Sequence, residues 1–138
     1  MKNKIIPNFI EKLSNIIKIT TNGEYTNIKL NENEGLIVEL ENGDNVTIER
    51  LSIGTIYQIY LGLRIAVLEE MQKEKVPIIL DEPFVYFDQI RLENILKYIN
   101  ENLKENQIII LTCAKREIEI LNKMNINYKL VNLIEKSE

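Results

Sequence analysis

Two adjacent carboxylates, Asp81 and Glu82, follow a short apolar run near the centre of the sequence. The run, residues 78–80, is rich in β-branched side chains and too short for a helix, which predicts a strand buried on both faces. Pro83 has no backbone N–H and disfavours helix in the residue before it, so the strand should end there. Ligands of open α/β folds bind at the carboxyl edge of the sheet, so this pair predicts a candidate site. A solvated turn would explain the same two residues.

Polar residues also stand where two helices are predicted to begin. Ser52, Gly54 and Thr55 lie in the run LSIGT, directly before an apolar stretch that starts at Ile56. Free N–H groups at a helix N-terminus carry about +0.5 charge, so this run predicts an anion site to which Ser52 adds a hydroxyl. A plain helix-capping role explains Ser52 equally well. Asp88 precedes the next helical stretch and predicts an N-cap there.

Two absences from the sequence exclude whole classes of site. The chain has no histidine, which excludes Ser-His-Asp and Cys-His catalysis and most zinc and iron sites. None of its five glycines is followed by lysine, so the sequence contains no GxxxxGK[ST] phosphate loop.

The length and composition predict one globular domain that acts in the cytoplasm. The chain has 138 residues and a formal charge of −4, and it lacks the basic surplus typical of nucleic-acid binding. Its one cysteine allows no internal disulfide, which favours a reducing compartment. The N-terminus lacks a secretory apolar region, and the longest apolar run, residues 56–68, is too short to span a bilayer, so no membrane association is expected.

Residues 1–50 predict a helix followed by a small antiparallel meander. Apolar residues recur every three or four positions over 5–20, which indicates an amphipathic helix. Alternating patterns predict three short strands. The pair Asn42-Gly43 between the last two predicts a tight hairpin in which both central residues have positive φ. The predicted strands cover 25–30, 36–40 and 46–48.

Residues 51–138 predict the parallel half of an α/β sheet. The stretch 56–71 is apolar nearly all round, which predicts a helix buried on most faces. After it come strands and helices in alternation, and right-handed crossovers make such a βαβαβ order a parallel sheet. The predicted elements are a strand at 78–80, a helix at 89–103, a strand at 107–112, a helix at 115–124 and a last strand at 126–133.

Four motifs stand in a specific order along this second part. They are LSIGT at 51–55, IILDE at 78–82, PFVYFD at 83–88 and ILTCAKRE at 110–117. In this order they resemble the signature, Walker B, D-loop and switch motifs in the C-terminal half of an ABC-type ATPase head. The resemblance is to the SMC-like branch, and most closely to the YhaN-like AAA-domain ATPases. It covers nearly the whole chain, including the meander before LSIGT.

The resemblance implies a role for each candidate residue. Ser52, Gly54 and Thr55 would bind the γ-phosphate of an ATP held by the opposite subunit. Asp81 would hold Mg²⁺, and Glu82 would be the catalytic residue that orients or deprotonates the attacking water. Asp88 would cap its helix and contact the partner subunit.

The sequence also departs from the family pattern. Ile53 and Thr55 replace one glycine of the pair and the glutamine of the usual LSGGQ, and Ala114 stands where the switch histidine would be. The phosphate loop, adenine contacts and Q-loop, which the family carries far upstream across a long coiled coil, are absent. We therefore expect a C-terminal lobe that binds ATP and Mg²⁺ only when the N-terminal half completes it. DNA is a candidate partner of the full-length protein.

In such folds the phosphate-loop strand lies between the switch strand and the strand after it, here 107–112 and 126–133. Without that strand both would lose a hydrogen-bonding neighbour, and an unpaired buried backbone group costs about 1–3 kcal/mol. The two strands could close on each other, or the chain could self-associate through its open edges. Of the two, we expect self-association.

Two other functions fit parts of the same sequence. A docking or dimerisation module with degenerate ATPase motifs would explain Ala114. A stand-alone Mg²⁺-dependent hydrolase could use Asp81, Glu82 and Asp88, but the sequence offers it no evident nucleophile or substrate cradle.

Overall fold

The computed structural model describes residues 2–70 and 76–133. Its elements confirm the predicted α/β fold class, a helix and antiparallel meander followed by a parallel part. In chain order they are α1 (Lys2–Thr20), β1 (Tyr25–Asn31), β2 (Gly35–Leu40), β3 (Asn45–Thr47), a 3₁₀ turn (Ile48–Arg50), α2 (Ile53–Glu70), β4 (Ile78–Asp81), α3 (Gln89–Asn102), β5 (Ile108–Leu111) and α4 (Arg116–Lys123). No helix in these ranges combines the length and the apolar character needed to cross a membrane.

The helix and the antiparallel meander are formed as predicted, and α1 packs on the sheet β1–β2–β3. The apolar stripe of the helix meets the inward face of the strands, where Ile28 lies opposite Val38. Ser14 ties the two layers together: its hydroxyl donates to the Ile10 carbonyl at 2.8 Å and accepts from the Ile28 N–H at 2.9 Å. The fully buried side chains here are Leu13, Ile16, Ile17, Ile28 and Val38.

The turn between β2 and β3 differs from the predicted two-residue hairpin. The Gly43 N–H donates to Leu40 O at 2.9 Å and the Leu40 N–H to Asp44 O at 2.8 Å, so three residues form the loop. Gly43 has φ +86°, whereas Asn42 has no positive φ, so the prediction for both residues was wrong at Asn42. Asn42 instead accepts the Asp44 N–H on its side-chain oxygen at 3.0 Å, which stabilises the turn locally.

Helix α2 begins at Ile53, three residues earlier than predicted, and therefore contains Gly54 and Thr55 in its first turn. Gly62 lets it approach α1 closely, because a Cβ at this position would lie 3.0 Å from Ile17 Cδ1. Most faces of α2 are buried or half-buried, as predicted, but one face is not. Ile53, Tyr57 and Tyr60 are each more than half exposed, so one face carries apolar residues into solvent.

Strands β4 and β5 form a parallel pair in the register Ile78↔Ile108 to Asp81↔Leu111. Ile78 and Leu80 are buried, but Ile79 is 59% exposed, so the prediction that this strand is buried on both faces was wrong. One face joins the core, while the other is open. Helices α3 and α4 follow their strands within one residue of the predicted bounds.

The predicted last strand at 126–133 is not formed. The backbone there has no regular structure, and within the described residues β5 pairs with β4 alone. A strand needs a neighbouring ladder for its backbone groups, and among residues 2–70 and 76–133 no strand pairs with this segment. Leu130, Val131 and Leu133 are all exposed. This stretch of chain therefore does not close the open edge of β5 either.

Candidate functional site

Ser52 forms the N-cap of α2. Its side-chain oxygen accepts the Thr55 N–H at 3.2 Å, and its carbonyl accepts the Ile56 N–H at 3.0 Å. The N–H groups of Ile53 and Gly54 belong to the first turn, where a helix provides no acceptor of its own. Two donors and the positive end of the helix dipole therefore remain available to an anion, while Ser52 is an exposed residue beside them.

Thr55 lies beneath Ser52 and is only 5% exposed. Its hydroxyl is 2.9 Å from Ser52 Oγ and 3.5 Å from the Tyr25 hydroxyl, so it supports the serine from inside the protein. An anion at the helix start would meet Ser52 first. Thr55 can contribute by holding the serine hydroxyl in place.

The first turn of α2 packs on the turn formed by residues 83–88, which we call the PFVYFD turn. A Cβ at Gly54 would lie 3.6 Å from both Tyr86 Cβ and Tyr86 O. Gln58 Nε2 donates to Tyr86 O at 2.9 Å, and the rings of Tyr57 and Tyr86 have centroids 4.6 Å apart. The structure thus brings the LSIGT and PFVYFD motifs into direct contact.

Asp81 and Glu82 lie at the carboxyl end of β4, next to the end of β5. The Glu82 N–H donates to Leu111 O at 2.9 Å. The Glu82 carboxylate accepts the Cys113 N–H at 2.7 Å and the Thr112 hydroxyl at 3.3 Å. Glu82 also has φ +42°, a left-handed conformation that costs a non-glycine residue about 1–3 kcal/mol. No pattern in the sequence predicted that conformation.

These contacts change the acid–base properties of Glu82. The backbone N–H of Cys113, followed by its side chain and the Thr112 hydroxyl, lowers the pKa of the Glu82 carboxyl. In return, the nearby carboxylate raises the pKa of the Cys113 thiol. In this arrangement Glu82 is an ionised, oriented carboxylate and a weak proton acceptor.

Asp88 caps α3, as predicted. One carboxylate oxygen accepts the Arg91 N–H at 2.9 Å, and the other lies 3.4 Å from Arg91 Nε. The same guanidinium donates to Gln58 Oε1 at 2.8 Å, forms an ion pair with Glu24 and lies 5.7 Å from the centre of the Tyr25 ring. Sequence reasoning missed Arg91, although an arginine three residues after an N-cap aspartate is placed to contact it.

Arg116, at the start of α4, is a second residue that sequence reasoning missed. Its Nη1 donates to Phe87 O at 2.6 Å, its Nη2 donates to Phe84 O, and its Nε donates to Glu117 Oε1 at 3.3 Å. Ala114 offers no polar side chain, and its N–H donates to Thr112 Oγ1 at 3.0 Å. Arg116 lies within the segment that resembles the switch motif, and this position was the available signal, since the planar guanidinium presents several donors at once.

Asp81 is exposed at the strand end, and its neighbour Glu82 is held by the switch segment. Among residues 2–70 and 76–133, no three His, Cys, Asp or Glu side chains are grouped to hold a metal ion. Mg²⁺ in phosphate-transfer sites is usually held by one or two carboxylates together with substrate phosphates. One accessible aspartate fits that smaller share of a magnesium site.

No family model matches the chain. Two known proteins are similar to it in sequence. The uncharacterized protein YhaN of Bacillus subtilis is 34% identical over 112 residues, which are 78% of this chain and 12% of YhaN. The DNA double-strand break repair Rad50 ATPase of Methanococcus maripaludis is 34% identical over 113 residues, or 81% of this chain and 11% of Rad50. The chain therefore spans about one eighth of the length of these relatives.

One solved structure, from work on ATP-driven dimerization and DNA stimulated activation of SMC ATPases, has the same fold. It aligns with a TM-score of 0.67 over 83% of this chain and 72% of that chain, at 19% identity. The aligned part is most of both molecules.

Proposed function

Since the chain is related to YhaN and Rad50 and has the fold of an SMC-like ATPase head, we propose that it is the C-terminal lobe of such a head. It would supply the signature, Walker B and D-loop motifs to an ATP site whose phosphate loop lies on an N-terminal half. The observation that best supports this is the packing of Gly54 against Tyr86. That contact joins the anion-binding helix start to the turn that runs from Glu82 to Asp88.

Each candidate residue has a role in this proposal. Ser52, with the N–H groups of Ile53 and Gly54, would bind the γ-phosphate of an ATP held by the opposite subunit. Asp81 would hold Mg²⁺, and the ion would neutralise charge on the phosphates. Glu82 would orient the attacking water and accept its proton, a contribution of about 10²–10⁴ in rate.

Glu82 must change its contacts to act as a base. While the Cys113 N–H and the Thr112 hydroxyl hold the carboxylate, its lowered pKa opposes proton uptake. Release from these two donors would raise its basicity, and the strained φ of Glu82 favours movement away from this conformation. Closing of the complete site would therefore release Glu82 from its bound state, in which Cys113 and Thr112 hold the carboxylate, to a state that can accept a proton.

The partners follow from the same proposal. The N-terminal half of the head would cover the open face of β4–β5 and pair with its free edge. A second head would face Ser52 and Asp88 across the shared ATP. The solved SMC relative is described by ATP-driven dimerization and DNA stimulation, which supports homo-association here and DNA as a partner of the full-length protein. We place this activity in the cytoplasm.

One observation favours a second candidate function, a docking or dimerisation module without hydrolysis. Ala114 occupies the switch-histidine position, and Glu82 is bound by its own switch segment. A site that no longer hydrolyses ATP could keep the fold and the interface alone.

Reconstitution separates the two functions. The chain is mixed with an N-terminal SMC-like head segment that carries GxxxxGK[ST], and Mg-ATP binding and phosphate release are measured. The ATPase proposal expects no micromolar binding by the chain alone and turnover by the mixture. A mixture that associates and binds ATP without turnover would leave the docking module, and micromolar binding by the isolated chain would contradict the missing-half proposal.

A further inference from the structure

The PFVYFD turn is held from two sides by polar side chains that bind its backbone. On the α2 side, Gln58 Nε2 donates to Tyr86 O at 2.9 Å, and Gln58 Oε1 in turn accepts from Arg91. On the α4 side, Arg116 donates to the carbonyls of Phe84 and Phe87. Three backbone carbonyls in this short turn therefore accept hydrogen bonds from side chains of neighbouring helices.

The Arg116 contact spans the whole turn. Phe84 O also accepts the Phe87 N–H at 2.9 Å, so the guanidinium binds both ends of one hydrogen-bonded loop. The next residue, Asp88, is the N-cap of α3, and Glu82 lies just before the turn. A shift of this loop would therefore move the two carboxylates that flank it.

The same short segment of chain that carries Arg116 also holds Glu82. Cys113 N–H and Thr112 Oγ1 bind the Glu82 carboxylate, while Arg116 binds the turn that follows. Ala114 lies between these residues in sequence, and its methyl group cannot form a hydrogen bond. The bonds from the switch segment to residues 82–87 therefore come from its backbone, Thr112 and Arg116.

We propose that Arg116 is a positioning residue that fixes the PFVYFD turn to the switch segment and so sets the placement of Glu82 and Asp88. The idea that this placement serves ATP hydrolysis rests on the proposed function, whereas the positioning itself does not. Buried Phe84 and Phe87, which pack edge to face at 5.7 Å, anchor the turn from inside, so the alternative is that these rings suffice alone.

Hydrogen exchange on the full chain tests the positioning. Arg116→Met keeps the aliphatic stem but removes every donor, so the Phe87 amide should exchange roughly tenfold faster. Arg116→Lys keeps one donor nitrogen, so its Phe87 amide should exchange at a rate between those of the wild type and Arg116→Met. Lys115→Met removes the same charge from the neighbouring exposed residue and should leave the turn unchanged, and amides of β1 and β2 should keep their protection in all three variants.

The outcomes decide the proposal without ATP. Equal exchange at residues 82–88 in Arg116→Met and Lys115→Met would overturn it, because the two rings would then hold the turn unaided. If Arg116→Met loses protection throughout, Arg116→Lys decides: faster exchange confined to residues 82–88 supports the positioning role, and wild-type exchange refutes it.

Turnover in the reconstituted head tests what the positioning serves. Arg116→Met should lower kcat while the KM for Mg-ATP stays within about twofold, since Arg116 touches no phosphate in the proposal. Arg116→Lys should restore part of kcat. A wild-type mixture without turnover would defeat the proposed function and leave the exchange result standing. If the wild-type mixture turns over, an unchanged kcat in Arg116→Met would refute only the claim that the positioning serves hydrolysis.

Discussion

The two sheets of the molecule are covered to different degrees. In residues 2–50, α1 covers the inward face of a three-stranded sheet, and Leu13, Ile28 and Val38 are almost fully buried. In residues 51–133, a two-stranded parallel sheet leaves Ile79 59% and Leu111 40% exposed. Parallel sheets are normally covered on both faces. The inward face of the first sheet is covered by α1, whereas the second sheet presents a surface that another element should cover.

The residues with proposed chemistry all lie in the incompletely covered part. Ser52, Asp81, Glu82 and Asp88 stand at helix starts or at a strand end, near apolar side chains that face solvent. An exposed apolar patch beside such groups is typical of an interaction site. The comparison between the two parts therefore predicts that variants in the first affect folding, while variants in the second affect assembly and turnover.

The largest effect is expected for Glu82→Gln in the reconstituted head. Glutamine keeps the shape and can still accept the Cys113 N–H, but it cannot take up a proton, so turnover should fall by about 10²–10⁴. Nucleotide-dependent association, followed by light scattering, should remain. The control is Glu119→Gln on exposed α4, which should retain turnover. Near wild-type turnover in Glu82→Gln would mean that Glu82 is not the catalytic residue.

Truncating one apolar residue in each part tests the comparison directly. Leu13→Ala should lower the free energy of unfolding by about 2–5 kcal/mol, because it leaves a cavity in a filled core. Ile79→Ser removes a similar side chain from the open sheet face and should change it by less than about 0.5 kcal/mol. Urea unfolding of both variants gives the comparison. Equal losses would show that the face of β4 is already covered in the isolated chain.

Self-association of the isolated chain is the next expected effect. The free edge of β5 and the exposed Ile79 and Leu111 should drive association at micromolar concentration. Ile79→Lys together with Leu111→Lys should reduce it, because like charges would then face each other. Light scattering measures the mass in both cases. A monomeric wild-type chain would contradict the prediction. Since residues 126–133 do not pair with β5, the edge of β5 would then be open in solution.

A smaller effect is expected for Ala114→His in the reconstituted head. A histidine there would restore a side chain able to contact the γ-phosphate in the proposed site, so turnover should rise or stay unchanged. Phosphate release under saturating Mg-ATP measures it, with Ala114→Asn as a polar variant of smaller reach. A clear fall would indicate that Ala114 has another role, such as leaving room for the Glu82–Cys113 contact.

The sequence predicted most of the first part because its signals are local. The apolar periodicity of α1 and the alternation of β1–β3 require only neighbouring residues, and both are confirmed. The β2–β3 turn was wrong in detail, since the Asn42 side chain offers the backbone a local partner that a dipeptide rule ignores. The predictions that β4 is buried on both faces and that 126–133 forms a strand were wrong. Both depend on neighbouring elements, which an apolar run in the sequence does not reveal.

The candidate site was predicted in its positions but not in its contacts. The residue types that favour helix N-termini predicted Asp88 as an N-cap and Ser52 at a helix start. The structure confirms both positions. Arg91 and Arg116 were missed because their partners lie 33 and 32 residues away in sequence, at Gln58 and Phe84. The distant partners of such hydrogen bonds leave no pattern in a single sequence.

The smallest expected effect concerns the pH dependence at the edge of the second part. The Cys113 N–H lowers the folded-state pKa of Glu82 below its ordinary value of 4.5, so the contact stabilises the fold above that value. This stabilisation should be lost as the pH falls through the lower, folded-state pKa. Titration of the Glu82 carboxyl carbon by NMR measures that pKa. In Thr112→Val it should remain below 4.5, because the backbone donor, the larger cause, stays in place. A wild-type pKa at or above 4.5 would mean that Glu82 is free of the switch segment in solution. The proposed bound state of Glu82, and its release on closing of the site, would then be wrong.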